Sequence, residues 1–319
     1  MLNFSVAIRT YNGEKYLPLL LEKLRSQVNT ENISWEIVIV DNNSTDNTTR
    51  IIQEYQLDWP ESYPIHYFFE PQQGACYARQ RAMKEAKGSL VGFLDDDNLP
   101  SPDWVASAYV FGQTHPQAGA YNSLIHAIYQ GQPPKNFKKI ASCLAIIEWK
   151  ETEPFCFNLQ KKGGLLPPGA GIVIRKEAWE ENVPLNLKLK GPVSGSLNAK
   201  GEDIETLLYI RNGGWEIWFN PGMHIYHKIS QSRLEKKYLM KLLRGIGLSR
   251  HRTRMLGYPP WQRPLVMPLY MANDLRKVII NRLKYGKELE TDIVAASQIE
   301  MYLGSLESHW QELKYFFWK

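Results

Sequence analysis

Hydrophobic and polar positions follow two alternating periods in the first third of the chain. SVAIR (5–9) is a short apolar run closed by the turn YNG (11–13), which predicts a buried strand. Between Glu14 and Gln27, and just past it, Leu17, Leu20, Leu21, Leu24 and Val28 recur at helical spacing. WEIVIVD (35–41) is nearly continuous in β-branched residues, the pattern of a strand covered on both faces. The polar turn NNSTDNT (42–48) offers several N-caps for a helix over about 46–56. IHYFFE (65–70) predicts a third strand. A helix follows from Gly74 to about Lys87, with Gly88 expected to close it in the C′ position. SLVGFLD (89–95) predicts a fourth strand. Strands separated by helices of this length form right-handed βαβ units in a mostly parallel sheet.

Beyond residue 100 the spacing predicts a helix over 102–114 and a strand near 119–129, then a loop rich in Pro, Gly and Lys (131–139). LPPGAGIVIR (166–175) places a glycine-rich turn before a short strand. GEDIETLLYIRNGG (201–214) predicts a helix with acids in its first turn and glycines past its end, and WEIWFNP (215–221) a strand. From about 231 the pattern is mainly helical, with Pro-rich breaks at 258–268 and an amphipathic segment over 288–317.

Composition narrows this picture. With 319 residues, 44% hydrophobic and 22% charged, the chain buries a full core in ordinary globular proportions. Three cysteines, Cys76, Cys143 and Cys156, form neither an even set nor a C-x-x-C, which argues for a reducing compartment. MLNFSVAIRTYNG has no signal-peptide pattern and no uncharged apolar run reaches transmembrane length, so a cytoplasmic location is expected. The net charge of +5 is unevenly placed. Arg233 to Arg254 carries eight Lys/Arg against one Glu, a local +7 that leaves −2 for everything else.

Two strands end in carboxylates, Asp41 after EIVIV and Asp95 after VGFL, and Asp95, Asp96 and Asp97 are consecutive. Two such charges about 5 Å apart repel by about 3 kcal/mol at an effective dielectric near 20. In open α/β sheets ligands bind outside the carboxyl ends of strands, so both acidic ends are candidates for one crevice. No glycine-rich phosphate loop of either common type occurs. Carboxylates that hold Mg²⁺ or Mn²⁺, with substrate phosphates as further ligands, would serve instead. The alternative is a solvated turn with Asx hydrogen bonds ahead of Pro100.

The segments S-V-A-I-R-T-Y-N-G, W-E-I-V-I-V-D-N-N-S-T-D-N-T, G-A-C-Y-A-R-Q-R-A-M-K-E-A-K-G and F-L-D-D-D-N-L-P-S-P-D-W, in this order, resemble a family 2 glycosyltransferase. G-A-G-I-V-I-R, G-E-D-I-E-T-L-L-Y-I-R-N-G-G-W and F-N-P-G-M-H-I-Y-H continue the resemblance to about residue 230. It implies the GT-A nucleotide-diphospho-sugar transferase fold over 1–230, with 231–319 a helical C-terminal extension. It also implies transfer of a sugar, with inversion, from a nucleotide-diphosphate donor, UDP-linked by preference. The acceptor would be a hydroxyl of a glycan or lipid-linked saccharide in polysaccharide assembly.

The resemblance places Thr10, Tyr11 and Asp41 around the nucleotide base, and Arg79 near the nucleotide, with Gln80 where the family usually has Asn. Read without it, Asp41 is a cap for the following turn and Arg79 a solvated helix arginine. Asp97 matches the metal carboxylate of the family's D-x-D motif. Asp95 or Asp96 would meet the ribose or the metal, the run of three leaving the register open. His227 would complete metal contacts, giving Asp97, Asp95 and His227 as the expected ligands of Mn²⁺ or Mg²⁺. His224 and His227, three apart on a strand, point to opposite faces. Gly169 and Gly171 would admit the donor sugar, or form only a turn. Asp203 matches the general base that accepts the acceptor's proton, with Glu202 the fallback base or an acceptor contact.

The basic segment 233–254 interleaves Leu239, Leu242, Leu243, Ile246 and Leu248 with its cations. Packing of this apolar side on the protein is preferred over peripheral contact with an anionic membrane. Nucleic acid is not an expected partner, since no finger, helix-turn-helix or RNP motif accompanies the charge. The alternatives are a sugar nucleotidyltransferase, whose glycine-rich loop is replaced here by T-Y-N-G-E-K, and a non-catalytic nucleotide- or glycan-binding relative.

Overall fold

The computed structural model describes residues 2–159, 166–191 and 199–317. In chain order the elements are β1 (Leu2–Thr10), α1 (Leu17–Arg25), β2 (Trp35–Asp41), α2 (Thr48–Leu57), β3 (Ile65–Phe69), α3 (Ala75–Glu85), β4 (Gly88–Asp95), β5 (Asn98–Pro100), α4 (Trp104–Thr114) and β6 (Ala118–Tyr129). There follow β7 (Phe155–Cys156), β8 (Val173–Arg175), α5 (Lys176–Asn182), α6 (Glu202–Asn212), β9 (Glu216–Ile229), α7 (Lys236–Leu256), α8 (Arg263–Tyr285) and α9 (Ile293–Phe317).

The chain folds as two compact units. One gathers Met1–Ile128, Ala145–Leu187 and Tyr209–Lys228; the other gathers Tyr129–Leu144, Lys188–Leu208 and Ile229–Lys319.

The first unit is built on a mixed sheet of order β3-β2-β1-β4-β8-β6-β9-β5, with β7 beside β9. The β3-β2-β1-β4 part is parallel, as the βαβ pattern predicts, and β4–β8, β6–β8, β5–β9 and β7–β9 pair antiparallel. Every residue of β2 is buried, which accounts for its unbroken β-branched run. Phe4 and Trp104 meet edge to face, with ring centroids 6.0 Å apart, where α4 packs on β1 and β4. Gly88 does not close α3 as expected. It opens β4, where an added Cβ would lie 2.5 Å from the Phe4 carbonyl carbon, so its missing side chain lets the two strands approach.

After β1 the chain adds β2 and β3 on one side, then β4 on the other side of β1. The reversal of strand order therefore falls between the carboxyl ends of β1 and β4, the usual ligand crevice of an open α/β sheet.

In the second unit α9 packs on both α7 and α8. Gly247 and Gly304 mark the α7–α9 crossing: a Cβ on Gly247 would lie 2.3 Å from the Met301 carbonyl oxygen, and one on Gly304 2.6 Å from that of Arg244. Leu239, Leu242 and Leu243 are buried. The arginines of α7 face acids within the unit. Arg254 forks onto Asp274 at 2.6 and 3.1 Å, Arg252 reaches Glu205 at 2.9 Å, and Arg244 pairs with Glu300 and Glu307. This is the packed arrangement preferred for the apolar side of the basic segment, and it sets four of its arginines, Arg244, Arg250, Arg252 and Arg254, against acids. Among the described residues no helix is long and apolar enough to cross a membrane.

Two expected boundaries move. The strand predicted over 215–221 runs on through Pro221 to Ile229. The break predicted over 258–268 ends at Arg263, because Pro264 sits in the first turn of α8 and Pro268 lies inside the helix.

Candidate functional site

The parallel register sets Arg9 beside Asp95 at the strand-order reversal. Arg9 Nε donates to Asp95 Oδ1 at 2.5 Å and its Nη2 to Oδ2 at 3.3 Å, a two-point clamp. Burial pushes the Asp95 pKa up, but the Arg9 guanidinium and its hydrogen bonds, then Arg79 and His227, override it and hold it at about 2. The cation demanded by three adjacent carboxylates is thus, in part, supplied by the protein.

Arg79 is not a solvated helix arginine. It is 1% exposed on α3, with its guanidinium carbon 4.9 Å from the centre of the Phe93 ring. Asn42 prepares this placement: its side chain donates to the Glu70 and Gln72 carbonyls and accepts from Gly74 N, fixing the loop that opens α3.

The second carboxylate turns the other way. Thr10 Oγ1 donates to Asp96 Oδ2 at 2.8 Å. Burial, with the Asp97 charge next, pushes the Asp96 pKa up to about 7 against the lowering effect of that hydrogen bond. Gly13 backs the pair, since a Cβ there would fall 2.1 Å from Thr10 Oγ1 and 2.8 Å from Asp96 Oδ2.

Asp97 meets β9. Asn98 Nδ2 donates to its Oδ1 at 2.8 Å, and His227 Nε2 lies 3.3 Å from its Oδ2. The antiparallel register of Asn98 with His227 holds this corner, and Lys228 N donates to the Asp97 carbonyl at 3.1 Å. His224 faces elsewhere, as strand alternation requires: its Nδ1 lies 3.0 Å from His126 Nε2, with the two rings stacked. Asp95, Asp96 and Asp97 therefore fan out to three different partners.

The expected ligand set of Asp97, Asp95 and His227 is not assembled as a protein cage. Asp95 is clamped by Arg9, and among the described residues no group of three or more His, Cys, Asp or Glu is arranged to hold a metal ion. Asp97 and Asp96, the latter just past β4 and bonded to Thr10 at the end of β1, are the other two carboxylates at this place.

Asp41 is fully buried at the end of β2, level with Thr10. Its oxygens accept from Ser44 N at 2.9 Å, Thr49 Oγ1 at 3.0 Å and Tyr67 OH at 3.2 Å. These are the contacts of a turn cap, the role a residue-by-residue reading gives it. Tyr11, which follows Thr10, is 41% exposed. Gly171 has φ +67°, and a Cβ on it would crowd Ser123 Oγ at 2.6 Å and Ile225 Cδ1 at 2.8 Å. The Asn122 side chain donates to the carbonyls of Pro168 and Ala170, on either side of Gly169, so the glycine loop is a pinned turn.

Glu202 and Asp203 stand at the start of α6 as predicted, Glu202 buried and Asp203 half-buried. Glu202, Arg233 and Lys241 lie around Lys200 in the second unit. Burial and then Arg233 lower the Lys200 pKa, while Glu202 raises it. The residues that sequence reasoning passed over are Arg9, Gly13, Asn98 and this cationic group. The one signal in the sequence was an arginine at the mouth of a strand otherwise apolar from Val6 to Ile8.

Residues 5–181, more than half of the chain, match the family described as Glycosyl transferase family 2. The chain belongs to this family. The uncharacterised glycosyltransferase alr2836 of Nostoc sp. is 28% identical over 191 residues, 58% of this chain and 54% of its own length. The poly(ribitol-phosphate) beta-N-acetylglucosaminyltransferase TarS of Staphylococcus aureus is 30% identical over 141 residues, 44% of this chain and 24% of its own. These alignments thus span about half and a quarter of the two relatives.

Solved structures establish the fold of this family 2 member as GT-A. S. aureus TarS 1-349 in complex with UDP-GlcNAc superposes with a TM-score of 0.56 at 17% identity, covering 97% of this chain and 92% of that one. The mannosyltransferase PcManGT from Pyrobaculum calidifontis in complex with GDP-Man and Mn²⁺ gives 0.61 at 18% identity, covering 100% and 88%.

Proposed function

We propose that this family 2 member is an inverting glycosyltransferase that moves a sugar from a UDP-linked donor to a hydroxyl acceptor in polysaccharide or glycan assembly. The observation that carries the reading is the pair of carboxylates, Asp96 and Asp97, at the strand-order reversal beside Thr10 and the half-exposed Tyr11. Open α/β sheets bind nucleotides at that place. The names of TarS and PcManGT, and the UDP-GlcNAc and GDP-Man bound in their structures, support a nucleotide-diphosphate sugar donor, and TarS the UDP-linked kind.

The donor set fits a divalent ion of the Mn²⁺ or Mg²⁺ kind. Asp97 and Asp96 offer hard oxygens with His227 beside them, and such ions take one or two carboxylates with water and diphosphate oxygens as the rest. When bound, the ion offsets the negative charge that grows on the departing diphosphate. Arg79 and the Arg9–Asp95 clamp keep the surroundings of the donor phosphates from becoming net acidic. Asp203 takes the proton from the acceptor hydroxyl as its oxygen attacks the anomeric carbon from the side opposite the nucleotide, which inverts that centre. Glu202, with Lys200 near it, contacts the acceptor or replaces Asp203.

The test is turnover across a panel of UDP- and GDP-sugars with Mn²⁺, release of the nucleotide being followed with simple glycan acceptors. Turnover with a UDP-sugar and its loss in Asp203→Asn, with donor binding retained, is expected. Undiminished turnover in that variant would move the base elsewhere. Binding of donors without turnover on any acceptor would favour a binding role.

A further inference from the structure

The described surface carries one long apolar stripe, on α8. Leu265, Leu269, Leu275, Ile279 and Leu283 are between 49% and 81% exposed, and Trp261, 70% exposed, precedes them. Leu265 and Leu283 are 18 residues apart, about five turns at 3.6 residues per turn. They share one face, and the other three fall within a turn's breadth of it, so the stripe runs for about 27 Å. The opposite face holds Asp274 and Val278, both buried, where α8 packs on α9.

Charge on this helix has one sign at the surface. Residues 263–285 contain Arg263, Arg276, Lys277, Arg282 and Lys284 against a single acid, Asp274. That acid is 0% exposed and bound to Arg254 and Ser305. Exposed Arg282 and Lys284 edge the stripe and exposed Arg276 lies within it, with no exposed carboxylate on the helix to offset them.

We propose that α8 is a membrane-surface anchor, lying in the plane of an anionic phospholipid leaflet with Leu265–Leu283 among the acyl chains and its cations at the headgroups. An apolar face of this length on a water-facing helix marks an interaction site. An apolar stripe edged by Lys and Arg, with a Trp at one end, is the composition of a helix that lies in the interface and does not cross it. Charge decides between the two simplest occupants. A second copy seated stripe to stripe would set the same cations against each other, whereas an anionic leaflet neutralises them. The sequence drew attention to 233–254 for this role. The structure buries the apolar side of that segment and pairs Arg244, Arg250, Arg252 and Arg254 with acids, whereas the apolar side of α8 is exposed. The proposal is independent of the donor-site reading above.

The test is flotation of the full chain with vesicles of phosphatidylcholine alone and of an equimolar mixture with phosphatidylglycerol. The chain should float with the mixed vesicles, weakly with the neutral ones, and progressively less as salt rises. Leu269→Glu/Ile279→Glu and Arg282→Glu/Lys284→Glu should each reduce binding to mixed vesicles about tenfold or more while the thermal melt stays within error of wild type. Leu283→Glu, at the most exposed position of the stripe, carries the test should a double variant fail to fold. Equal flotation of wild type and the stripe variants overturns the proposal, as does absence of binding to mixed vesicles. A lipid-free dimer that Ile279→Glu dissociates would assign the stripe to a second copy and overturn it equally.

Discussion

Arg9 and Asp95 sit side by side in adjacent parallel strands, 86 residues apart in the chain, and close a two-point ion pair at the point where strand order reverses. The pair settles how a strand can end in three consecutive carboxylates. One is neutralised by the protein, one accepts from the Thr10 hydroxyl, and one faces His227 and Asn98.

Arg9→Gln should therefore cost about 2 kcal/mol at neutral pH, from a depression of the Asp95 pKa from 3.8 to about 2. A depressed carboxylate contributes stability that is present above its unfolded pKa and is lost as pH falls through the folded one. Denaturant melts of wild type should weaken between about pH 4 and 2, and the variant should start lower and show less of that slope.

Asp96 carries the opposite sign. Its folded pKa of about 7 lies above the unfolded 3.8, so the protonated form stabilises the fold below about pH 4 and that contribution is lost as pH rises through 7. A divalent ion needs the carboxylate, so its binding competes with a proton. Mn²⁺ affinity measured by calorimetry should weaken up to tenfold per unit as pH falls below 7, and Asp96→Asn should flatten that dependence.

Gly13→Ala tests the backing of Thr10. The new methyl collides with Thr10 Oγ1 and Asp96 Oδ2, so the hydroxyl–carboxylate bond must break. Donor affinity should fall about tenfold, the equivalent of about 1.4 kcal/mol, with a smaller loss of stability. Unchanged affinity would separate this hydrogen bond from donor binding.

Asp41→Ala removes the acceptor of three buried or half-buried donors, Ser44 N, Thr49 Oγ1 and Tyr67 OH. Loss of about 3 kcal/mol in urea melts without donor present is expected. A stable Asp41→Ala that fails only in nucleotide binding would give Asp41 the base-recognition role instead of the cap.

The parallel half of the sheet was legible because buried strands and amphipathic helices carry distinct periods, as in WEIVIVD and Leu17–Leu24. The acidic strand ends and the head of α6 were legible from residue type and position alone. The Arg9 clamp was not, because its partner is set by a register between strands far apart in sequence. Pro268 and Pro221 misled for a simpler reason. Each reads locally as a breaker, yet α8 and β9 continue past them. Asp95 illustrates the same limit at the site: three identical residues gave no basis for telling which one an arginine would claim.

Donor binding to Asp97→Ala is the most direct test of the proposed site. With Mn²⁺ present, calorimetric titration of wild type with UDP-sugars should yield a saturable isotherm that chelator removes. Asp97→Ala, folded by its melt, should lose at least tenfold in affinity. An isotherm unchanged by the substitution, or one indifferent to the ion, would contradict a metal–diphosphate site at the end of β4.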